Sequence, residues 1–189
     1  MRAFKAFRKN MTCTMGNGVY QYAENKTFTE DRAQAHESGF HCAEYILHCF
    51  NYYSAGKDTI VCPVEALGDI DEDGSDTKIS CTVMKVGQKM DPESIVFEAL
   101  KYLAKHPKFE DEKNVSTETG YRHGMYSIVR GKHPTAAGDI GTVLGFLKEK
   151  PKSKQIEAMA IYTVDGKKFK KGRYYDITGK EVKTDDEKS

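Results

Sequence analysis

Apolar residues at helical spacing mark the clearest helix of the chain. Its expected buried stripe consists of Ile95, Val96, Ala99, Leu100 and Leu103. Asp91 is a favourable N-cap residue, Pro92 suits the first helical position, and Glu93 places an acid in the first turn. The pair His106-Pro107 should stop the helix, because the residue before a proline avoids helical backbone. The pattern predicts a helix that begins at Asp91-Pro92 and ends before His106.

A shorter helix is predicted earlier in the chain, directly behind a glycine-led strand. Ile46, Phe50 and Tyr53 recur at i, i+4 and i+7, which predicts a helix from Ala43 to Tyr53. The strand before it begins at Gly39, and a glycine lets the backbone approach a ligand closely. A helix behind such a strand can hold polar side chains at a cleft, so this stretch is the first candidate for a binding site.

Aliphatic, aromatic and β-branched runs predict short strands through the rest of the first half. They are an opening strand around Phe4 to Arg8 and the segments Val19–Tyr22, Lys26–Thr29, Thr59–Ala66 and Lys78–Val86. Gly16-Asn17-Gly18 is a strong turn signal. The run Asp69–Asp76 holds five carboxylates and is expected to form a solvated acidic loop.

The second half of the chain has a different pattern. The polar run Lys108–Thr119 is typical of a linker. Beyond it, glycines recur at intervals of seven residues: Gly124, Gly131, Gly138 and Gly145. This spacing favours short strands with tight turns, as in a β-roll or β-helix, with chance spacing as the alternative. Segments Glu157–Val164 and Arg173–Thr178, each followed by a turn signal, predict a C-terminal β-meander.

Together these elements predict an α+β fold. Residues 1–107 would form a β-rich domain with mixed or antiparallel pairing and two helices. A linker at 108–119 would lead to a β-rich segment at 120–183, made of the β-roll-like part and the meander. The charged residues 184–189 would form a disordered tail.

Composition narrows the class of protein. The 189 residues include 29 basic and 28 acidic side chains, a formal charge of +1, so nothing favours general nucleic-acid binding or an anionic membrane. The N-terminus lacks an apolar signal core and no stretch of about 18 apolar residues occurs, so a soluble protein of the bacterial cytoplasm is expected. The five cysteines are scattered and include no CxxC pair, which favours reduced, buried thiols.

Several chemical readings of the polar residues stay open as alternatives. Zinc-ligand types cluster at His36, His41, Cys42, His48 and Cys49. No pair of them has the spacing of a structural zinc site, so we expect no metal, with core thiols and surface histidines instead. The acidic loop is an alternative site for weak binding of a divalent cation.

A Cys–His nucleophile pair is a further alternative. Cys42 or Cys62 would attack, with His41 or His123 as the base. Adjacent residues on a strand point to opposite faces, which disfavours the pair His41 and Cys42. The chain contains no GxxxxGK[ST] or GxGxxG pattern, so a phosphate-binding loop of those types is not expected.

The stretch from Gly39 to Gly68 resembles the nucleotide-binding part of ADP-ribosyltransferases. In that family a Gly-hydrophobic-Tyr-hydrophobic-Ala strand precedes a helix ending in small-Asn-Tyr, and an aliphatic strand closing Glu-Val-Ala-Leu-Gly follows. The runs that resemble these three parts are Gly39–Ala43, Phe50–Tyr53 and Val64–Gly68. The resemblance implies a cleft for NAD or a related nucleotide, in which Tyr52 and Tyr53 stack on the nicotinamide ring.

This chain departs from the family pattern at the positions that matter most for transfer. His41 stands in place of the first stacking tyrosine. Lys5 stands in place of the Arg or His that holds the nicotinamide ribose, and lysine lacks the planar fork of arginine. The catalytic glutamate has no assigned counterpart, with Glu157 as a guess. The resemblance therefore implies nucleotide binding with weak or absent transfer.

A second resemblance covers nearly the whole chain. It is to an uncharacterised family of tailed phages and prophages, whose members often carry Ala/Ser/Gly repeats between two defined ends. The matching runs are Ala3–Phe7, Met11–Cys13, Gly39–Cys42, Phe50–Tyr53, Asp76–Lys78, Val164–Lys168 and Tyr174-Tyr175. This resemblance implies a phage-encoded cytoplasmic accessory protein, such as an antagonist of host defence.

The preferred hypothesis is a nucleotide-binding accessory protein, with NAD, ADP-ribose or a signalling nucleotide as the ligand. The predicted ligand-binding residues are Lys5, Gly39, His41, Tyr52 and Tyr53, and the catalytic residues stay unassigned. One alternative is a non-enzymatic module that binds a host protein or forms a homo-oligomer. The other is an active, NAD-dependent mono-ADP-ribosyltransferase. No membrane partner is expected.

Overall fold

Strands make up most of both halves of the chain. The structure is a computed structural model that describes residues 1–15, 18–35, 37–72, 74 and 77–183. The chain forms two compact units, and the boundary between them lies between Asp91 and Pro92. The fold is α+β and β-rich, as the sequence predicted. The first unit contains an antiparallel sheet, and the second contains a mixed sheet. No helix among the described residues is long and apolar enough to cross a membrane.

The first unit contains seven strands and one short 3₁₀ helix within its described residues. The strands are β1 (Arg2–Arg8), β2 (Thr12–Met15), β3 (Gly18–Gln21), β4 (Thr27–Thr29), β5 (Phe40–Ala43), β6 (Thr59–Glu72) and β7 (Lys78–Val86). The 3₁₀ helix spans Ile46–Asn51. The predicted strands are confirmed, β2 was missed, and Gly16 and Asn17 of the predicted turn lie outside the described residues.

Four of these strands, β1, β5, β6 and β7, pair in a closed ring. β6 pairs with β1 along seven residues and with β7 further on, while β7 pairs with β5 on its other edge. The ring closes between β5 and β1, where the register is the single pair Phe4 and Ala43. Inside the ring a buried core includes Phe7, Phe40 and Met84.

The predicted acidic loop is partly strand. Asp69, Asp71 and Glu72 belong to β6, which continues to pair with β7 beyond a register shift between Leu67 and Ile70. Gly68 makes this possible, because it has a φ of +71° and a side chain there would meet Thr82. Residues 73, 75 and 76 of the run lie outside the described residues.

The short helix differs from its prediction. It was expected from Ala43 to Tyr53, but Ala43 belongs to β5 and the helical part is a 3₁₀ helix of six residues. The competing demand is sheet pairing, since β5 pairs with β7 up to Ala43. The buried side chains of the helix are Ile46, Leu47, Cys49 and Phe50.

The second unit begins with the predicted long helix. Its elements are α1 (Pro92–Lys105), β8 (Val115–Arg122), β9 (Tyr126–Gly138), β10 (Val143–Glu149), β11 (Ile156–Thr163), β12 (Tyr174–Asp176) and β13 (Glu181–Val182). The buried stripe of α1 is the one predicted from its spacing.

The two units and the domain limits expected from the sequence differ in two places. α1 belongs to the second unit rather than to a domain ending at 107, because its apolar stripe packs on the sheet of that unit. The predicted linker 108–119 includes the start of β8, which pairs with β9 from Val115 onward. Residues 184–189, predicted to be a disordered tail, lie outside the described residues.

Successive strands β8, β9 and β10 pair in parallel although their connections are short. Val115 lies opposite Ile128, and Val143 lies opposite Tyr126. Parallel pairing usually needs a long crossover. The register between β8 and β9 shifts from Thr117 opposite Arg130 to Thr119 opposite Thr135. At this shift the Glu118 carboxylate accepts hydrogen bonds from the backbone N–H groups of Lys132 at 2.7 Å and His133 at 2.9 Å.

The seven-residue glycine spacing is not the structural repeat, because stacked positions lie much further apart in sequence. Gly131 and Gly145 lie inside strands rather than in tight turns. Gly145 is required by packing, since a Cβ there would lie 2.8 Å from Val96 of α1 and 3.0 Å from Ile128. Its lack of a side chain lets the helix approach the sheet closely.

Asp139 joins three segments of the second unit. Its carboxylate accepts hydrogen bonds from the Tyr121 hydroxyl at 3.1 Å and from His123 Nδ1 at 2.7 Å. Lys171 forms an ion pair with it at 3.0 Å. The hydrogen bonds from His123 and Lys171 lower the pKa of Asp139 to about 2.

Replacing this carboxylate should change the pH dependence of stability. A pKa below the ordinary 3.8 means that the charged form stabilises the native state above that value, and that this contribution is lost as pH falls toward about 2. Asp139→Asn should therefore lower the melting temperature at pH 7, and the difference from the wild type should shrink between pH 4 and pH 2. Circular dichroism melts at stepped pH measure this.

Asp58→Asn is the matched control, because Asp58 is exposed and its ion pair with Lys9 is long, at 4.0 Å. Its effect on the melting temperature should be small at every pH. A difference for Asp139→Asn that stays constant down to pH 2 would contradict the electrostatic account.

Candidate functional site

A cavity of about 580 Å³ opens in the first unit beside the place where β1 and β5 separate. Its wall is formed by β1, β5, the 3₁₀ helix and the residues that follow that helix. All five predicted ligand-binding residues lie on it: Lys5, Gly39, His41, Tyr52 and Tyr53. The structure thus brings the predicted residues together, and their binding of a ligand stays a prediction.

Lys5 is the most unusual residue of the wall. It alternates with Phe4 and Ala6 along β1 and is only 8% exposed. Its ammonium donates a hydrogen bond of 2.5 Å to the carbonyl oxygen of His41 on β5. Phe4 and Ala43 are the single residue pair in register between β1 and β5. Two buried rings lie near the ammonium, Phe7 at 5.8 Å and Tyr22 at 5.4 Å.

This environment leaves the charge of Lys5 only partly balanced. Among the described residues no carboxylate forms an ion pair with it, and its hydrogen bond goes to a neutral carbonyl. Aromatic faces attract a cation, but by about 0.5–2 kcal/mol, less than the several kcal/mol that burying an ion costs. A buried cation on a cavity wall therefore favours an anionic ligand.

Gly39 lines the cavity for a different reason from the one predicted. Its φ is +83°, and a Cβ would lie 2.6 Å from Ser80 Oγ and 3.0 Å from the carbonyl oxygen of Cys81. Ser80 also donates a hydrogen bond to the Ser38 carbonyl. Close packing against β7, rather than close approach to a ligand, requires glycine here.

His41 and His48 both face the cavity region. The backbone carbonyl of His41 accepts the hydrogen bond from Lys5, and His41 pairs with Ser80 of β7. The Nδ1 atom of His48 lies 2.9 Å from Thr77 Oγ1. The Thr77 hydroxyl also accepts a hydrogen bond of 3.1 Å from the backbone N–H of Tyr45. This contact fixes the start of the 3₁₀ helix beside the cavity.

The two tyrosines after the 3₁₀ helix occupy different environments. Tyr52 is 59% exposed, and the ammonium of Lys78 lies 5.1 Å from the centre of its ring. Tyr53 is half-buried, and burial raises the pKa of its hydroxyl. Tyr52 therefore offers an accessible aromatic face at the mouth of the cavity, while Tyr53 forms part of its wall.

The structure adds wall residues that the sequence did not single out. They include Arg8, Cys13, Tyr22, Glu30, Glu37 and Lys78. Alternation along β1 places Arg8 on the face opposite to Lys5, so it did not point to Arg8. Nothing local to Lys78 indicates that it would face Tyr52. With Lys5, the wall carries three basic side chains against two carboxylates among the described residues, the partly buried Glu30 and the exposed Glu37.

The thiols on this wall are not arranged as nucleophiles. All five cysteines are buried and free, and three of them line the cavity. A hydrogen bond with Cys81, together with burial, raises the pKa of Cys42 well above its ordinary value, and burial raises that of Cys49 to about 12. Burial likewise raises the pKa of Cys62 to about 12. These thiols stay protonated at neutral pH.

The partners proposed for other chemistry are separated. His123, a candidate base, belongs to the second unit and binds Asp139. Asp71 of the acidic run accepts the backbone N–H of Ala35 at 2.6 Å. Within the described part of the chain, no group of three or more His, Cys, Asp or Glu side chains is placed to hold a metal ion. His36 lies outside the described residues.

Comparison with known families covers the whole first unit. A family model described as a domain of unknown function, DUF7666, matches residues 1–98, more than half of the chain. The chain belongs to the DUF7666 family. All residues of the cavity wall lie inside the matched DUF7666 region. No curated protein and no solved structure matches the chain.

The raised thiol pKa values predict slow chemistry with thiol reagents. In the native DUF7666 protein at pH 7.5, Ellman's reagent should react at least about tenfold more slowly than with the same protein in guanidinium chloride, because all five thiols are buried and those of Cys42, Cys49 and Cys62 are also protonated. The hydrogen bond with Cys42 lowers the pKa of Cys81, so the protection of that thiol comes from its burial. The denatured protein should release five equivalents.

A single native thiol that reacts as fast as free cysteine would contradict this account and would favour the Cys–His hypothesis. Cys42→Ser and Cys62→Ser identify which thiol is responsible. Cys62 is the matched control, because it is buried but does not line the cavity.

Proposed function

We propose that the first unit of this DUF7666 protein binds a nucleotide in the cavity beside β1 and β5. The observation that carries the proposal is the buried Lys5 ammonium on the same wall as the exposed ring of Tyr52. A phosphate satisfies an unbalanced cation, and a base stacks on an accessible aromatic face. Few ligand classes other than nucleotides present both groups.

NAD, ADP-ribose and signalling nucleotides are the ligands this proposal covers. The order of glycine-led strand, helical turn and aliphatic strand, which resembles ADP-ribosyltransferases, supports it. So does the meeting of the predicted residues on one cavity wall. The resemblance to phage and prophage proteins supports the further proposal that the protein is a phage-encoded accessory factor, acting for example against host defence.

The proposal is binding without efficient transfer of ADP-ribose. Glu157, the guess for a catalytic glutamate, lies on β11 of the second unit and forms an ion pair with Lys148 at 2.8 Å. The described carboxylates on the cavity wall are Glu30, which is partly buried, and Glu37, which is exposed. Lys5 also lacks the bidentate fork with which arginine would orient a ribose or a phosphate.

A thermal-shift panel tests the binding proposal. NAD, ADP-ribose, cyclic mononucleotides and cyclic dinucleotides are each added to the full chain. A ligand at 100 times its Kd stabilises the native state by about 2.7 kcal/mol, and each kcal/mol is worth about 2–4 °C for a chain of this size. At least one nucleotide should raise the melting temperature, and no shift with any of them at millimolar concentration would contradict the proposal.

Tyr52→Ala should weaken the binding of that nucleotide by about 5- to 150-fold, since stacking of one base is worth about 1–3 kcal/mol. The variant should fold normally, because the ring of Tyr52 is 59% exposed. Phe97→Ala is the matched control. Phe97 is an aromatic residue on α1 that is 49% exposed and lies outside the cavity wall.

A protein-binding or oligomeric role is the second candidate, and β11 is the observation that favours it. This strand pairs with β10 on one side, and no described strand pairs with its other edge. Met159 is 44% exposed on it. An open strand edge with an exposed apolar residue can pair with a second copy.

Light scattering tests this second candidate. If β11 pairs between copies, the wild-type mass should be about twice 21.3 kDa, and Met159→Lys should return it to the monomer value, because charge on an edge strand opposes pairing. A wild-type protein that is monomeric throughout the accessible concentration range would exclude the oligomeric form of this role.

A further inference from the structure

The cavity of the first unit has a direction, which is set by where its charge and its aromatic face lie. Lys5 is only 8% exposed, whereas Tyr52 is 59% exposed. Behind the Lys5 ammonium lie the rings of Phe7 and Tyr22, both almost fully buried. The Lys5 end is therefore closed by the core, whereas the Tyr52 end, where the Lys78 ammonium faces the ring, is open to solvent.

The closed end is prepared to donate hydrogen bonds to an anion. A lysine ammonium has three N–H donors, and among the described residues one of them is used, by the His41 carbonyl. The remaining donors lie in surroundings of low polarity, where a charge-assisted hydrogen bond is strong and an unbalanced charge is costly. No described carboxylate supplies the missing charge.

The cavity also carries groups that suit a sugar and a base. Tyr52 offers its ring at the open end, with the Lys78 ammonium 5.1 Å from the ring centre. Glu30, which is partly buried, and Glu37, which is exposed, line the same cavity. Carboxylates accept hydrogen bonds from ribose hydroxyls, whereas they repel phosphates. Phosphate is thus favoured at Lys5 and disfavoured near these two carboxylates.

We propose that the ligand enters with its phosphate first, and that it carries a terminal phosphate which Lys5 binds at the closed end of the cavity. This inference rests on the proposed function and narrows it to nucleotides with a free phosphate or diphosphate end. A dinucleotide such as NAD has its phosphates between two nucleosides. Placing them at Lys5 would require space for a second nucleoside beyond the buried rings of Phe7 and Tyr22.

Inorganic pyrophosphate is the first probe, because it contains the proposed anionic end and no base. Calorimetry with the full chain should detect its binding, and Lys5→Met should raise its Kd at least about tenfold, the loss expected for one charge-assisted hydrogen bond. Lys85→Met is the matched control, since the side chain of Lys85 is 63% exposed on β7 and lies outside the cavity wall. Its Kd should change by less than about twofold.

Tyr52→Ala tests the direction. It should leave the Kd of pyrophosphate within about twofold of the wild type, because stacking on this ring involves a base and not a phosphate. Equal weakening of pyrophosphate and nucleotide by this variant would place the phosphate at the mouth and overturn the inference. Failure of pyrophosphate to bind, or binding unaffected by Lys5→Met, would also overturn it.

The wild-type protein provides the readout if Lys5→Met does not fold. Among adenosine, adenosine monophosphate and NAD, the monophosphate should bind at least about tenfold more tightly than the other two. Pyrophosphate should compete with it. A preference for NAD, or equal binding of adenosine and its monophosphate, would contradict a terminal phosphate at Lys5.

The two proposals can fail separately. Pyrophosphate that binds through Lys5 while no nucleotide binds would retain the anion site and remove the nucleotide function. A nucleotide that binds through Tyr52 while pyrophosphate neither binds nor competes would retain the nucleotide function and remove the phosphate-first orientation.

Discussion

The first unit depends on the pairing of one long strand with two partners. β6 pairs with β1 from Thr59 to Glu65 and with β7 from Val64 to Glu72, and its register on β7 shifts at the bulge that contains Gly68. This pairing brings β7 round to β5 and closes the ring. The closure is weakest between β5 and β1, where a single residue pair is in register. The cavity lies at this weakly paired position.

A buried cation at such an opening is costly for the folded protein and useful for binding. Backbone pairing would satisfy the polar groups of β1 and β5, but beyond Phe4 and Ala43 the Lys5 ammonium bridges to His41 instead. Its charge has no described carboxylate partner, so an apolar residue of similar volume would stabilise the fold at least as well. The proposed binding of an anion would give this lysine a physical reason to be there.

Local sequence signals and their causes did not always agree. Gly39 attracted attention as a glycine beside a cleft, and it does lie on the cavity wall. Its positive φ and its contact with Ser80 are the reason that glycine is needed. The glycines at intervals of seven residues likewise have separate causes, such as the packing of Gly145 against α1. A regular spacing can thus arise from unrelated local requirements.

The sequence by itself determined the elements whose signals are local. Helix α1, its buried stripe and strands β1, β6 and β7 follow from apolar spacing and from end signals within a few residues. It also selected the five residues that share the cavity wall. Only the tertiary structure decided that α1 belongs to the second unit, that β6 continues through the acidic run, and that Lys78 faces Tyr52. These facts depend on pairing and packing between residues far apart in the chain, and no local pattern encodes which distant partner a strand or helix will meet.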